Sequence, residues 1–177
     1  MRQRVKQFFN AFTAKISQED MDFIAKFLNT KEAILFWGMN LPDQRHALNV
    51  AYTAVNIAAD KSDSDIDKKT LYKAAILHDV GRTKDDLSTI DKVIAVLFDK
   101  YAPSKARQWG RFGRGGKLDN LRHAIFIYYN HPVISAALLK ECGVSDKIID
   151  LVSKHHLPET PNDSLELNIL RQADKLN

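Results

Sequence analysis

The sequence contains a single cysteine, Cys142, in 177 residues. No internal disulfide can form, so the chain must be held by packing and polar contacts, and the expected compartment is a reducing cytoplasm. Glycine and proline are scarce, at 7 and 5, which excludes a collagen-like or linker-dominated chain. No apolar run approaches the roughly 18 residues that a membrane span needs, and none is expected. The opening MRQRVKQFFNAF carries arginines but no continuous apolar stretch, and does not read as a secretory signal. Excess charge of one sign is also missing: 26 Lys and Arg face 22 Asp and Glu, a net +4. That balance tolerates an anionic small substrate but gives no argument for a nucleic-acid partner.

What the chain does have is apolar residues at helical spacing nearly everywhere, with no convincing strand alternation. The reading is all-α and one structural domain, divided into N-terminal helices over 1–42 that pack on a core domain over 43–177. Val5, Phe8, Phe9, Phe12 and Ile16 mark a first helix with a basic opposite face. Ser17 and Asp20 form a capping pair that opens a second helix. Thr30 opens a third that Gly38 and Pro42 end, and a long helix follows over 43–60. Further helices are expected over 71–78, 87–101 and 118–129, from Pro132 to Glu141, from Ser145 to His155, and over 165–176. Residues 103–117 read mostly as loop.

One stretch stands apart. AAILHDVGR, residues 74–82, is an apolar helix that ends in an imidazole and a carboxylate before a glycine turn. A buried carboxylate is costly unless paired or metal-bound. His46, His78, His131, His155, His156, Asp79 and Asp174 all fall near helix ends or in late helical turns. An α-bundle can converge such ends on one pocket, where imidazoles and carboxylates suit Fe, Mn, Co, Ni or Zn.

The ordered set His46, His78-Asp79, His131, His155-His156, Asp174 resembles the HD-domain metal-dependent phosphohydrolases. HDVGR is similar to that family's HD-x-G-K/R stretch, NHPVISAALL to its third-histidine segment, KHH to the paired histidines of its two-metal members, and ADKL to its closing aspartate segment. The resemblance implies a helical bundle with two divalent transition-metal ions, Fe or Mn first, with Ni, Co or Zn as alternatives. It assigns His46, His78, Asp79 and Asp174 to one ion and Asp79, His131, His155 and His156 to the other. It implies hydrolysis of a phosphoester of a nucleotide or other small phosphorylated molecule by a metal-bound hydroxide. Adjacent histidines on a helix diverge by about 100°, so His155 and His156 can share an ion only near a helix end. His123 matches no family position and reads as a structural histidine.

Asp79 and Arg82 are the candidate catalytic residues, with Arg82 placed to hold a phosphate oxygen through its planar fork. Lys175 is a further substrate-binding candidate. The basic loop around Trp109 and Phe112 adds Arg111 and Arg114, since cations interleaved with aromatics can hold phosphates and stack a base. Two other classes stay open: an HD-fold di-iron oxygenase and a non-catalytic nucleotide-binding signalling module. The GYP signature of the cyclic-dinucleotide branch is absent and the stretch between Asp79 and His131 is long, so the sequence leaves the substrate open. It leaves the oligomeric state open too.

Overall fold

The computed structural model describes residues 15–61, 65–84 and 89–177. The expected first helix, with Val5, Phe8, Phe9 and Phe12, lies outside the described residues. Those residues form nine helices: α1 Gln18–Phe27, α2 Thr30–Gly38, α3 Leu41–Asp60, α4 Lys68–Leu77, α5 Thr89–Tyr101, α6 Pro103–Trp109, α7 Lys117–Glu141, α8 Asp146–Lys154 and α9 Leu165–Leu176. None of them is long and apolar enough to cross a membrane.

Local chemistry sets the starts. Ser17 and Asp20 make a reciprocal capping box on α1, and Asn29 and Glu32 do the same on α2. Asn40 caps α3 by accepting from the Asp43 N–H. Pro42 therefore does not end α2, as the sequence suggested. It sits in the first turn of α3, where its missing N–H has no helical partner to lose.

α3, α4 and α9 pack together at the centre, α8 closes on α4 and α7, and α5 and α6 lie against α7. Phe36, Leu48, Leu71, Ile76, Leu77, Leu139, Ile169 and Leu170 are fully buried in this core. α1 adds Ile24 to the same cluster, so α1 and α2 share the core of the helices that follow.

Two further expectations are corrected. Residues 103–109 are helical, because Pro103 starts the turn and Ala106 is buried against Ala95 and Ile125. And 118–129 and 132–141 are one helix: α7 runs through Pro132 without a break. Proline in a helix removes one backbone bond, normally to the carbonyl four residues back. Here that carbonyl belongs to Tyr128, and the His131 side chain takes it instead, with Nδ1–H donating to Tyr128 O at 2.9 Å.

Candidate metal centre

Five helices, α3, α4, α7, α8 and α9, deliver the polar groups. α4 is capped by Asp67 and buries Leu71 and 74–77, so its C-terminus emerges inside the bundle. His78 and Asp79 follow there, 0% and 1% exposed. The chain then turns sharply, with the Arg82 N–H donating to Asp79 O at 2.9 Å. Gly81 makes the turn possible. A Cβ on it would lie 2.8 Å from both His131 O and Ser135 N on α7. Its own N–H donates to Ser135 Oγ at 2.8 Å. Beyond the turn, the Lys84 N–H donates to Gly38 O at 2.9 Å and Thr83 pairs with Met39, which ties the segment to the end of α2.

His46 comes from the second turn of α3 and Asp174 from the last turn of α9, with His46 Nε2 and Asp174 Oδ1 3.1 Å apart. Asn177 Nδ2 donates to Thr53 Oγ1 at 2.8 Å, which fastens the end of α9 to α3. His131 comes from the middle of α7. His155 and His156 follow α8, whose end Arg171 holds: its Nη2 donates to Lys154 O at 3.1 Å while Nη1 donates to Asp163.

These groups surround Asp79. Its Oδ2 faces His46 Nε2 at 3.9 Å and His78 Nε2 at 3.5 Å, and its Oδ1 faces His131 Nε2 at 3.2 Å and His155 Nε2 at 3.9 Å. His156 stacks beside the second pair, with ring centroids 4.2 Å from His155 and 4.9 Å from His131. The end of α8 thus lets two adjacent imidazoles approach one point. Three sets of donor atoms lie within reach of a single ion: His46, His78 and Asp79; His78, His155 and Asp174; and His131, His155 and His156.

The sequence pattern of the HD domain matches residues 44–177. The chain belongs to the HD-domain family. No curated protein and no solved structure matches it. HD domains are commonly metal-dependent hydrolases, and this one has the His and Asp clusters to hold metal.

The residues fit a cation on two grounds. First, both oxygens of Asp79, and Nε2 of His78 and of His155, are buried without completing a hydrogen bond. Arg82 Nη1 meets Oδ2 as an ion pair at 3.0 Å, but Oδ1 and the two ring nitrogens face only other imidazoles and carboxylates, and buried polar atoms left so cost free energy unless a cation meets them. Second, His78, His131 and His155 each donate Nδ1–H to the backbone carbonyl three residues earlier, at 2.8, 2.9 and 2.6 Å. The carbonyls belong to Ala75, Tyr128 and Val152. Each bond leaves the Nε2 lone pair facing the centre, as a ligating imidazole requires.

The electrostatics divide the histidines. Burial works against charge on His46, His131, His155 and His156. In His46 the Asp174 hydrogen bond and the charge of Asp79 outweigh burial, and its pKa is raised. In His131 burial and Arg82 together lower it. In His155 burial, His78 and His156 hold it well below the ordinary value, and in His156 burial and His131 push it to about 4. For Asp79, burial opposes the anion, but Arg82, His78 and His131 prevail and its pKa falls well below the carboxylate range.

These directions have a consequence in the metal-free HD domain. A raised histidine pKa stabilises the fold below the unfolded value of about 6.5, and that stabilisation is lost as pH rises through the folded value. The lowered values of His131, His155 and His156 act oppositely and cost stability as pH falls below about 6.5. Near pH 6.5, then, His46 carries the proton that an ion must displace. Titration of the metal-free protein with Mn2+ in two buffers of different ionisation enthalpy is expected to show proton release. His46→Gln should remove most of it. Equal release from both proteins would assign the proton elsewhere.

The remaining candidates are spread around the centre. Arg82 joins it: Nη1 is 3.0 Å from Asp79 Oδ2 and Nη2 is 3.0 Å from His131 Nε2. Lys175 lines a cavity of about 750 Å³ with His156, Asp174 and Arg171. Arg111 and Arg114 are not brought to the histidines. They line a separate cavity of about 280 Å³ with Phe112 and Arg122. Of the arginines of 105–122, Arg107 shares a cavity with the centre, together with Arg82, Tyr128, Asn130, His131 and His156, around about 550 Å³. In the sequence Arg107 is one of several basic residues of this stretch, with Lys105, Arg111, Arg114, Lys117 and Arg122, and a loop reading gives no ground for preferring it to Arg111 and Arg114. The signal was Pro103, a helix-starting residue. His123 is buried at the base of the basic loop, where its Nδ1 accepts from the Gly113 N–H at 3.2 Å.

Proposed function

We propose that the chain hydrolyses a phosphoester of a small phosphorylated molecule, a nucleotide being the first candidate, with two divalent ions held around Asp79. The observation that carries this reading is the environment of Asp79: a buried carboxylate, met by Arg82 on Oδ2, whose two oxygens face different pairs of imidazole nitrogens. His46, His78, Asp79 and Asp174 would hold one ion, and Asp79, His131, His155 and His156 the other. Ions so held supply a water nucleophile at neutral pH and neutralise phosphate charge.

The chain's own residues do the rest. Main-chain carbonyls orient the three backbone-bonded histidines so that their Nε2 lone pairs stay inward. Arg82 offers a planar fork to an anion in the adjoining cavity, and Arg107 gives that cavity a second positive charge. Arg107 also lies over the Tyr129 ring, 4.9 Å from its centroid. The aromatic lining of Phe126, Tyr128 and Tyr129 gives a base or other flat group a surface. The convergence of His156 on His131 supports the hydrolase over the oxygenase alternative, whose pattern has one histidine there.

The test combines metal analysis of protein purified without chelator with a panel of phosphomonoesters, cyclic phosphates and phosphodiesters. Turnover should disappear with chelator and return with Mn2+ or Fe2+. A metal-replete protein that leaves the whole panel intact contradicts the reading.

A further inference from the structure

His131 has one lone pair and two claimants for it. Nδ1–H is committed to Tyr128 O at 2.9 Å, so the lone pair is on Nε2. In the structure Nε2 accepts from Arg82 Nη2 at 3.0 Å, while Nη1 of the same guanidinium sits 3.0 Å from Asp79 Oδ2. Yet Asp79 Oδ1 and His131 Nε2 are 3.2 Å apart, the spacing of neighbouring ligands on one ion with bonds of about 2.1 Å. An ion bound there approaches Nε2 along its lone pair, the direction that the Arg82 N–H already uses.

The other half of the centre has no such conflict. A carboxylate oxygen has more than one lone pair, so Asp79 Oδ2 can meet both Arg82 and an ion. His78 Nε2 has no hydrogen bond at all.

We propose that Arg82 is a switch on the second ion position: its guanidinium and the second ion are alternatives at His131, and an anion that draws Arg82 away admits the ion. The guanidinium stays protonated at any working pH, so it cannot yield by losing its charge and must move. The destination is at hand, because Arg82 and Arg107 both line the cavity of about 550 Å³ beside His131. An oxyanion seated there offers the fork a bidentate partner. The second ion and the anion are therefore cooperative, and by linkage each strengthens the other equally. The proposal rests on the phosphohydrolase reading only for the nature of the anion.

The experiment uses the full chain, stripped by chelator and titrated with Mn2+. Free Mn2+ is followed by its electron paramagnetic resonance signal, with and without inorganic phosphate. The wild type is expected to bind one ion tightly and a second at least about tenfold more weakly, with phosphate closing most of that gap, a coupling of ordinary size. Arg82→Gln and Arg82→Ala should bind two ions in one step, indifferent to phosphate, with helix content unchanged by circular dichroism. Two equal ions in the wild type without phosphate would overturn the switch, as would a single ion under all conditions. A phosphate-sensitive second step that persists in a folded Arg82 variant would do the same. The wild-type titration alone decides the matter if neither variant folds. Turnover of the phosphoester panel with phosphate-independent binding of both ions sinks the switch and leaves the reaction standing. The switch without turnover does the reverse.

Discussion

Asp79→Ala is expected to abolish metal uptake and turnover together while the helices remain folded. Asp79 faces histidines on both sides, His46 and His78 through Oδ2 and His131 and His155 through Oδ1. Its loss would remove the anion that the two proposed ions share. The fold should survive, because the buried apolar cluster from Ile24 to Ala173 does not depend on that carboxylate. Thermal melts give the clearest contrast. An ion at a hundred times its dissociation constant stabilises the folded state by about 2.7 kcal/mol. For a chain of this size that raises the melting temperature by roughly 5–10 °C. Mn2+ should produce such a shift in the wild type and none in Asp79→Ala. A variant that still binds ions or still shifts would displace Asp79 from the centre of the site.

The second large effect is expected at a residue with no side chain. Gly81→Ala drives a methyl group to 2.8 Å from His131 O and Ser135 N, which are backbone atoms within α7 and cannot swing aside. Overpacking of this kind costs on the order of 1–3 kcal/mol. The strain also has a direction. Relief requires the turn carrying His78, Asp79 and Arg82 to move away from α7, which carries His131, widening the 3.2 Å approach of Asp79 Oδ1 to His131 Nε2. Gly81→Ala should therefore weaken the second ion more than the first, in addition to lowering the melting temperature of the metal-free protein. Ser135→Ala serves as comparison: it deletes the hydrogen bond to the Gly81 N–H without adding bulk, and should leave ion binding nearer the wild type. If Gly81→Ala binds both ions normally, the close packing of turn and helix is not what sets their geometry.

The ends of helices carried most of what could be read in advance. His78 and Asp79 stand out because polar residues interrupt an apolar helix where it meets glycine, a conflict that burial makes expensive. The capping boxes of α1 and α2 were equally local: Ser17 with Asp20 was visible as a pair, and the same three-residue spacing joins Asn29 to Glu32. What escaped depended on partners remote in sequence or on a side chain acting for the backbone. Pro132 read as a helix start because a proline inside a helix normally leaves a carbonyl without its donor. Only the ring of His131, folded back onto Tyr128 O, removes that objection. α6 escaped because seven residues are too few for a periodic pattern, and its stability comes from the burial of Ala106 by α5 and α7. Among the arginines of 105–122, Arg107 reaches the cavity from α6, whereas Arg111 and Arg114 fall in the segment between α6 and α7 and line another cavity.

The bonds from His78, His131 and His155 to Ala75, Tyr128 and Val152 also fix an order of events in the making of the protein. The acceptors are main-chain carbonyls of helical turns, so these imidazoles acquire their orientation when α4, α7 and α8 form and not when an ion arrives. Small zinc modules follow the opposite course, since their chains are disordered until the metal organises them. Metallation would then come last: the imidazoles are already turned inward before any ion arrives, and at the second position the one rearrangement left is the departure of Arg82 from His131 Nε2.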